Sequence, residues 1–214
     1  MEQVFFINPV AGKRDASAEL VPRIQAAARQ LQLPQPQIVV TQYAGQAREA
    51  AHRYAASGTP AALYACGGDG TLNELVQGAA GSANVAVGCV PCGSGNDYVR
   101  NFGAAGQASF LDFAAQLQAQ PCRVDLLQTS LGIGIDICAA GLDAQVAYGI
   151  PKFRRLPGCG GTAAYTLSIL QAMLSRFGHK LRVAIDGKEY TDTYMMAAIC
   201  NGGYYGGGYQ AAPY

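Results

Sequence analysis

Charge is scarce in this chain. Asp, Glu, Lys and Arg together make up 14% of its 214 residues, and the formal net charge is +1. No broad field of either sign exists to draw in nucleic acid or an anionic bilayer, so any ligand must be held by local sites. Tryptophan is absent, which decides nothing. A bilayer-spanning run is lacking too: the longest uncharged stretch compatible with a helix covers residues 162–175, against a need of ~20 residues. Residues 191–214 carry one charge, Asp192, but glycines and a proline break them up. The N-terminus has Glu2 and then only a short apolar run at 4–7, which does not read as a signal peptide. Histidine is limited to His52 and His179, without visible partners. The seven cysteines are an odd set, and Cys89-x-x-Cys92 has no second pair to complete a tetrahedral zinc site. They read as small buried hydrophobes in a reducing cytoplasm.

Half of the residues are hydrophobic, and their spacing carries the fold. Short apolar runs at 4–7, 38–41, 61–66 and 85–90 read as buried strands. Between them, residues 16–31, 46–56 and 71–78 have helical periodicity, the first with Asp15 as a cap and closed by Pro34 and Pro36. Strands alternating with helices imply parallel pairing with right-handed crossovers, hence an α/β, Rossmann-like N-terminal domain with a parallel sheet. The pattern changes near residue 122. Runs at 124–127, 133–139, 181–185 and 194–200 look like strands, with little helix except around 163–177. Asp186-Gly187 marks a hairpin between 181–185 and 189–194. The expected division is 1–122 for the α/β domain and 123–214 for a β-rich, antiparallel, sandwich-like second domain. The latter reads as incomplete, because the chain stops just after Gly206-Gly207-Gly208.

The strongest local signal is Cys66-Gly67-Gly68-Asp69-Gly70-Thr71-Leu72-Asn73-Glu74. It follows a strand and opens a helix, placing it at the C-terminal sheet edge where open α/β folds bind ligands. Gly67, Gly68 and Gly70 allow close approach of backbone N–H groups to an anion and permit positive φ. The helix beginning at Thr71 turns its positive end to the same place. Thr71 and Glu74 also fit a capping box. Asp69 among such glycines would repel a polyphosphate by ~4 kcal/mol at 4 Å in an intermediate dielectric. A bridging Mg²⁺ removes that objection, and an Asx-turn is the plainer use. A second loop, Pro91-Cys92-Gly93-Ser94-Gly95-Asn96-Asp97, follows the fourth strand and leads into a short helix at 97–102. There Asn96 or Asp97 would serve as the cap. Asn8-Pro9-Val10-Ala11-Gly12-Lys13 ends the first strand.

At these residues the chain resembles the diacylglycerol kinase catalytic domain family, which includes bacterial diacylglycerol kinases and sphingosine and ceramide kinases. The likeness rests on N-P-x-x-G, G-G-D-G-T-x-N-E and P-x-G-[ST]-x-N-D. It continues through Val124-Asp125-Leu126, Gly141-Leu142-Asp143-Ala144, and Asn201 with Tyr205-Gly206-Gly207-Gly208 and Ala212-Pro213. Ser94 stands where the family commonly has Thr, which keeps the hydroxyl. The resemblance implies a lipid kinase with ATP and Mg²⁺ as cofactors, most simply converting diacylglycerol to phosphatidic acid. It puts Asn8, Thr41, Gly67, Gly68, Asp69, Gly70, Thr71, Ser94 and Asn96 at the nucleotide. Asp69 and Asp97 become the catalytic and, through water, metal-organising carboxylates. It also implies about a hundred further residues, with the general base beyond Tyr214. The enzyme would be cytoplasmic and peripheral, meeting its lipid at the membrane surface. No nucleic acid or transmembrane segment is expected, and a homodimer is left open.

Two secondary features bear on the acceptor. Residues 162–177 place Leu167, Leu170, Leu174 and Phe177 on one face, extended by Tyr165, Ile169 and Met173, with Gly178 as the stop. This face reads as core of the second domain or as the wall of a lipid cleft. Lys152, Arg154 and Arg155 read as a solvated loop that could meet anionic headgroups. The rival readings are a NAD kinase-like enzyme, since similar G-G-D-G loops occur there, and a non-catalytic nucleotide-binding fragment.

Overall fold

A computed structural model of the chain describes residues 1–12, 14–154, 156, 159, 161–174 and 178–212. They form two compact units, residues 1–137 with 200–214, and residues 138–199. Lys13, Arg155, Phe177 and Pro213, which figure in the motifs above, lie outside the described residues.

The first unit is built on four parallel strands: β1 (Glu2–Ile7), β2 (Gln37–Val40), β3 (Ala61–Gly67) and β4 (Val85–Pro91), in the order β2-β1-β3-β4. Their helices are α1 (Ser17–Gln30), α2 (Gln46–Ser57) and α3 (Asp69–Ala79). Alternation along each strand divides the core into two layers. Val4, Phe6, Leu63 and Ala65 meet α2 and α3, while Phe5, Ile7, Tyr64 and Cys66 meet α1 and a later helix. Phe5 stacks on Tyr64 with ring centroids 4.3 Å apart. Full burial of a side chain such as Phe5 or Ile7 contributes roughly 1.5–3 kcal/mol. The chain turns one way from β1 to β2 and the other way from β3 to β4. The crevice between β1 and β3 is therefore the topological switch point, where ligands of open α/β sheets bind.

After β4 come α4 (Asp97–Arg100), α5 (Gly103–Ser109) and α6 (Phe113–Gln118). Residues 97–102 were expected to be one helix; it stops after four residues, and α5 and α6 have too little periodicity to announce themselves. Asp112 caps α6 by accepting from the Ala115 N–H at 3.0 Å. Phe113 and Leu117 then close the second core layer. Of the run expected at 124–127, only Leu127 lies in a strand. That strand, β5 (Leu127–Thr129), pairs antiparallel with β6 (Gly132–Gly134), while Leu126, Ile133 and Ile135 pack on the first core layer.

The other unit contains β7 (Ile137–Gly141), α7 (Leu142–Arg154), α8 (Gly161–Leu174), β8 (His179–Ile185), β9 (Lys188–Tyr194) and β10 (Met196–Cys200). β10 pairs with β7, and β8 with β9 as the antiparallel hairpin that Asp186 and Gly187 turn at φ 50° and 78°. The second half is thus antiparallel and β-rich, but α7 was not foreseen. Gly and Pro have poor helix propensity, yet α7 contains both Gly149 and Pro151; a Cβ at Gly149 would collide with Ser168 Oγ, so the glycine lets α7 and α8 approach. Lys152 lies within α7, not in a loop. The buried stripe of α8 is Ala164, Ser168 and Ala172, whereas Leu170, Met173 and Leu174 are exposed. Small residues win the contact because the two backbones lie close together. The chain closes with the short antiparallel pair β11 (Tyr204–Tyr205) and β12 (Tyr209–Gln210), which belongs to the first unit.

Candidate functional site

The sheet register brings four loops to one edge. Ile7 lies opposite Val40 and Cys66, Cys66 opposite Val90, and Gly67 opposite Pro91. The ladder continues past the strand ends. Asn8 N–H donates to Cys66 C=O at 2.9 Å, Thr41 N–H to Ile7 C=O at 2.8 Å, and Cys92 N–H to Gly67 C=O at 3.0 Å. Asn8, Thr41, Gly67 and Cys92 are therefore fixed by backbone bonds, and the loops leave the sheet from a common level.

The two glycine loops touch. A Cβ at Gly68 would stand 3.3 Å from Gly93 Cα, and one at Gly93 would be 2.8 Å from Gly68 N. Gly67 has no room either, because Thr71 Oγ1 fills the space a side chain would take. This corrects one expectation: none of Gly67, Gly68 and Gly70 has positive φ. At positions 67 and 68 the glycines serve close approach. Positive φ occurs instead at Gly12 (76°), where a Cβ would lie 2.5 Å from Cys92 C=O. The loop after β1 thereby reaches the loop after β4.

The capping-box reading fails as well. α3 begins at Asp69, with Gly68 as its N-cap and no side-chain cap bond. Thr71 is buried in the first turn, where its Oγ1 accepts from Asn8 Nδ2 at 3.1 Å across the switch point. Glu74 serves a different helix, its Oε1 accepting from Gly45 N–H at the start of α2 at 2.9 Å. The Thr71 and Leu72 N–H groups donate to Gly68 C=O at 3.0 and 3.2 Å, so with no side-chain cap it is the Asp69 and Gly70 N–H groups that the first turn leaves for an anion.

Asp69 and Asp97 flank Gly95. A Cβ there would be 2.9 Å from Asp69 Oδ2 and 3.4 Å from Asp97 Oδ2. Asp69 Oδ1 accepts from Tyr98 N–H at 3.2 Å, joining the loop after β3 to α4. Asp97 is buried, and Gly207 N–H donates to its two oxygens at 3.1 and 2.9 Å. Arg100 Nε lies 3.4 Å from Asp97 Oδ1 and also donates to Gly95 C=O. Burial pushes the Asp97 carboxyl up; the Gly207 N–H opposes this, Asp69 adds to it, and Arg100 opposes it. Asn96, at φ 54°, closes its own loop by accepting from Gly93 N–H at 3.0 Å and donating to Gly93 C=O at 2.9 Å. Ser94 is exposed at the loop tip.

A cavity of about 260 Å³ opens beside these loops, lined by Asn8, Val10, Thr41, Tyr43, Thr71 and Glu74 among others. A larger open groove of about 380 Å³ runs along β2 and α2, past Val39, Ala50, Arg53 and Tyr54. It contains none of the loop residues, so the smaller cavity is the one allied to the chemistry. Among the described residues no three His, Cys, Asp or Glu side chains converge to cage a metal. Two carboxylates with water and phosphate oxygens suit Mg²⁺, which keeps much of its hydration.

Three participants escaped sequence reasoning: Asn101, Asp136 and the Gly207 N–H. Asn101 Nδ2 donates to Asp136 Oδ1 at 3.2 Å. Burial, partly offset by that bond and reinforced by Asp69 and Asp97, pushes Asp136 up to about 6. The glycine triplet is visible in the sequence, but its contact with a residue 110 positions earlier is not.

The family description "Diacylglycerol kinase catalytic domain" matches residues 2–129, and "YegS C-terminal NAD kinase beta sandwich-like domain" matches residues 136–214. A Chromohalobacter salexigens protein named "Probable lipid kinase YegS-like" is 31% identical over 157 residues, covering 72% of this chain and 49% of that protein. The Bacillus subtilis "Diacylglycerol kinase" is 28% identical over 152 residues, covering 71% and 50%. The chain thus spans about half the length of the curated relatives it matches. A diacylglycerol kinase crystal structure from Bacillus anthracis str. Sterne superposes with a TM-score of 0.65 at 24% identity, covering 97% of this chain and 66% of that one. At that identity the likeness concerns the fold alone. Among the described residues no helix is long and apolar enough to cross a membrane.

Proposed function

The chain belongs to the diacylglycerol kinase catalytic domain family, and from that premise we propose that it transfers the γ-phosphoryl group of ATP to a lipid hydroxyl. Diacylglycerol is the first candidate acceptor, giving phosphatidic acid at the membrane surface. One observation carries the reading: the loops 67–71 and 93–97 touch at the C-terminal sheet edge, with Asp69 and Asp97 on either side of Gly95.

On this reading each residue has a role consistent with its placement. The uncapped N-terminus of α3 offers N–H donors to phosphate oxygens. Asn8 and Thr71 tie β1 to α3 and hold the floor of the site. Thr41 lines the adjoining cavity, which this reading gives to the base or ribose. Asp69 and Asp97 would hold Mg²⁺ through water. When bound, the metal neutralises phosphate charge, most of what phosphoryl transfer asks of a protein besides positioning. The names of the relatives, a lipid kinase and a diacylglycerol kinase, favour a lipid acceptor.

The test is transfer of γ-labelled phosphate from ATP to a panel of diacylglycerol, sphingoid bases and NAD, with Asp69→Asn beside the wild type. Label is expected in phosphatidic acid, falling roughly 100-fold or more in the variant, the scale for loss of one preorganised electrostatic group. Undiminished transfer in Asp69→Asn would remove that residue from the mechanism. A second reading draws on the NAD kinase-like description matched by residues 136–214. Label found only in NADP would favour it, and ATP binding without transfer would favour a non-catalytic module.

A further inference from the structure

We infer that residues 201–208 are a strap that positions Asp97, with Asn101 and Gly207 as positioning residues of the phosphate site; this rests on the nucleotide reading above. Asp97 is buried, and a buried carboxylate requires partners. Apart from Arg100, it finds them 110 residues away, where the Gly207 N–H bonds both of its oxygens at 3.1 and 2.9 Å. The donor's backbone has φ +87°, a conformation natural to glycine, and the space beside its Cα is open.

The strap is pinned along its length. Asn201 Nδ2 donates to Asp125 C=O at 2.9 Å and to Ile135 C=O at 2.8 Å. Asn201 and Gly202 N–H groups donate to Asp136 C=O at 2.8 and 3.1 Å. A side chain at Gly202 would collide with the Asp136 carboxylate and stand 2.7 Å from Asn101 Nδ2. Gly203 N–H donates to Asn101 Oδ1 at 2.7 Å, and Ala211 N–H returns to Gly203 C=O at 2.8 Å, closing the turn. Asn101 uses its whole amide, since Nδ2 also donates to Tyr98 C=O at 3.0 Å and to Asp136 Oδ1. It therefore joins the end of α4 to the strap, while Asp97 at the start of α4 receives the strap's N–H.

The consequence falls on Gly95, beside which Asp69, Asp97 and the Gly207 Cα meet. With the strap seated, the Asp97 carboxylate is fixed next to Asp69. Once it is lifted, Arg100 alone among these partners orients Asp97, and the spacing of the two carboxylates around a hydrated metal loosens. Outer partners of metal-organising groups act in this way.

The experiment is calorimetric titration of ATP into the whole chain at several Mg²⁺ concentrations, for wild type, Gly207→Ala, Asn101→Ala and Gly187→Ala. Gly187 is the control, with φ +78° and open space around its Cα, at a hairpin remote in sequence from the loops. Gly207→Ala and Asn101→Ala are expected to raise the Mg²⁺ concentration for half-maximal binding roughly tenfold, the lower end for outer partners of a metal site. Metal-free ATP binding should not change, nor should the metal dependence of Gly187→Ala. Should Asn101→Ala fail to fold, Gly207→Ala decides alone. An unaltered metal dependence in folded Gly207→Ala overturns the strap, as does an equal loss in Gly187→Ala. Failure of the wild type to bind ATP at any Mg²⁺ concentration overturns the nucleotide reading and, with it, this inference.

Discussion

A single carboxylate, Asp136, links the electrostatics of this site to its stability. Burial raises its pKa from the ordinary 3.8 to about 6; the Asn101 amide opposes the rise, and Asp69 and Asp97 add to it. Between those two values the folded state keeps a proton that the unfolded chain has lost. Stability from this group is therefore present at low pH and falls as pH rises through the window. Asp136→Asn keeps an acceptor for Asn101 but cannot ionise. Its unfolding free energy should therefore rise relative to that of wild type, making it comparatively more stable, as pH increases from about 4 to about 7, and urea unfolding at several pH values measures this. A difference independent of pH would mean that the carboxylate pays no desolvation cost.

At the scale of elements, the packing of α2 on α3 runs through Gly78. A Cβ there would collide with Arg48 C=O and lie 2.7 Å from Ala51 Cβ. Helix propensity alone favours Gly78→Ala by about 1 kcal/mol. Overpacking costs about 1–3 kcal/mol, more so where the obstacle is backbone. The variant should be less stable by about 1–2 kcal/mol in urea unfolding, and a stabilised protein would refute the close contact. The four parallel strands were readable from the sequence because buried strands are continuous apolar runs, as at 4–7 and 61–66. α7 was hidden by Gly149 and Pro151, whose local preferences are overridden where α8 lies against the glycine. Thr71 and Glu74 have capping-box spacing, but each bonds a different partner once Asn8 and Gly45 are brought alongside.

Over the whole molecule, the four loops could be assigned to one edge from the sequence because parallel strands end on the same side. Their order could not, since strand order depends on crossovers that local pattern does not encode. The same limit hid the bond from Gly207 to Asp97, where a backbone donor leaves no mark in the sequence. Gly68 and Gly93 nearly touching is the fact on which the functional reading stands. Amide chemical-shift mapping with Mg·ATP tests it most directly. The account predicts shifts concentrated at residues 8–12, 67–71 and 93–97. Shifts absent there and gathered instead along the groove of β2 and α2 would contradict it.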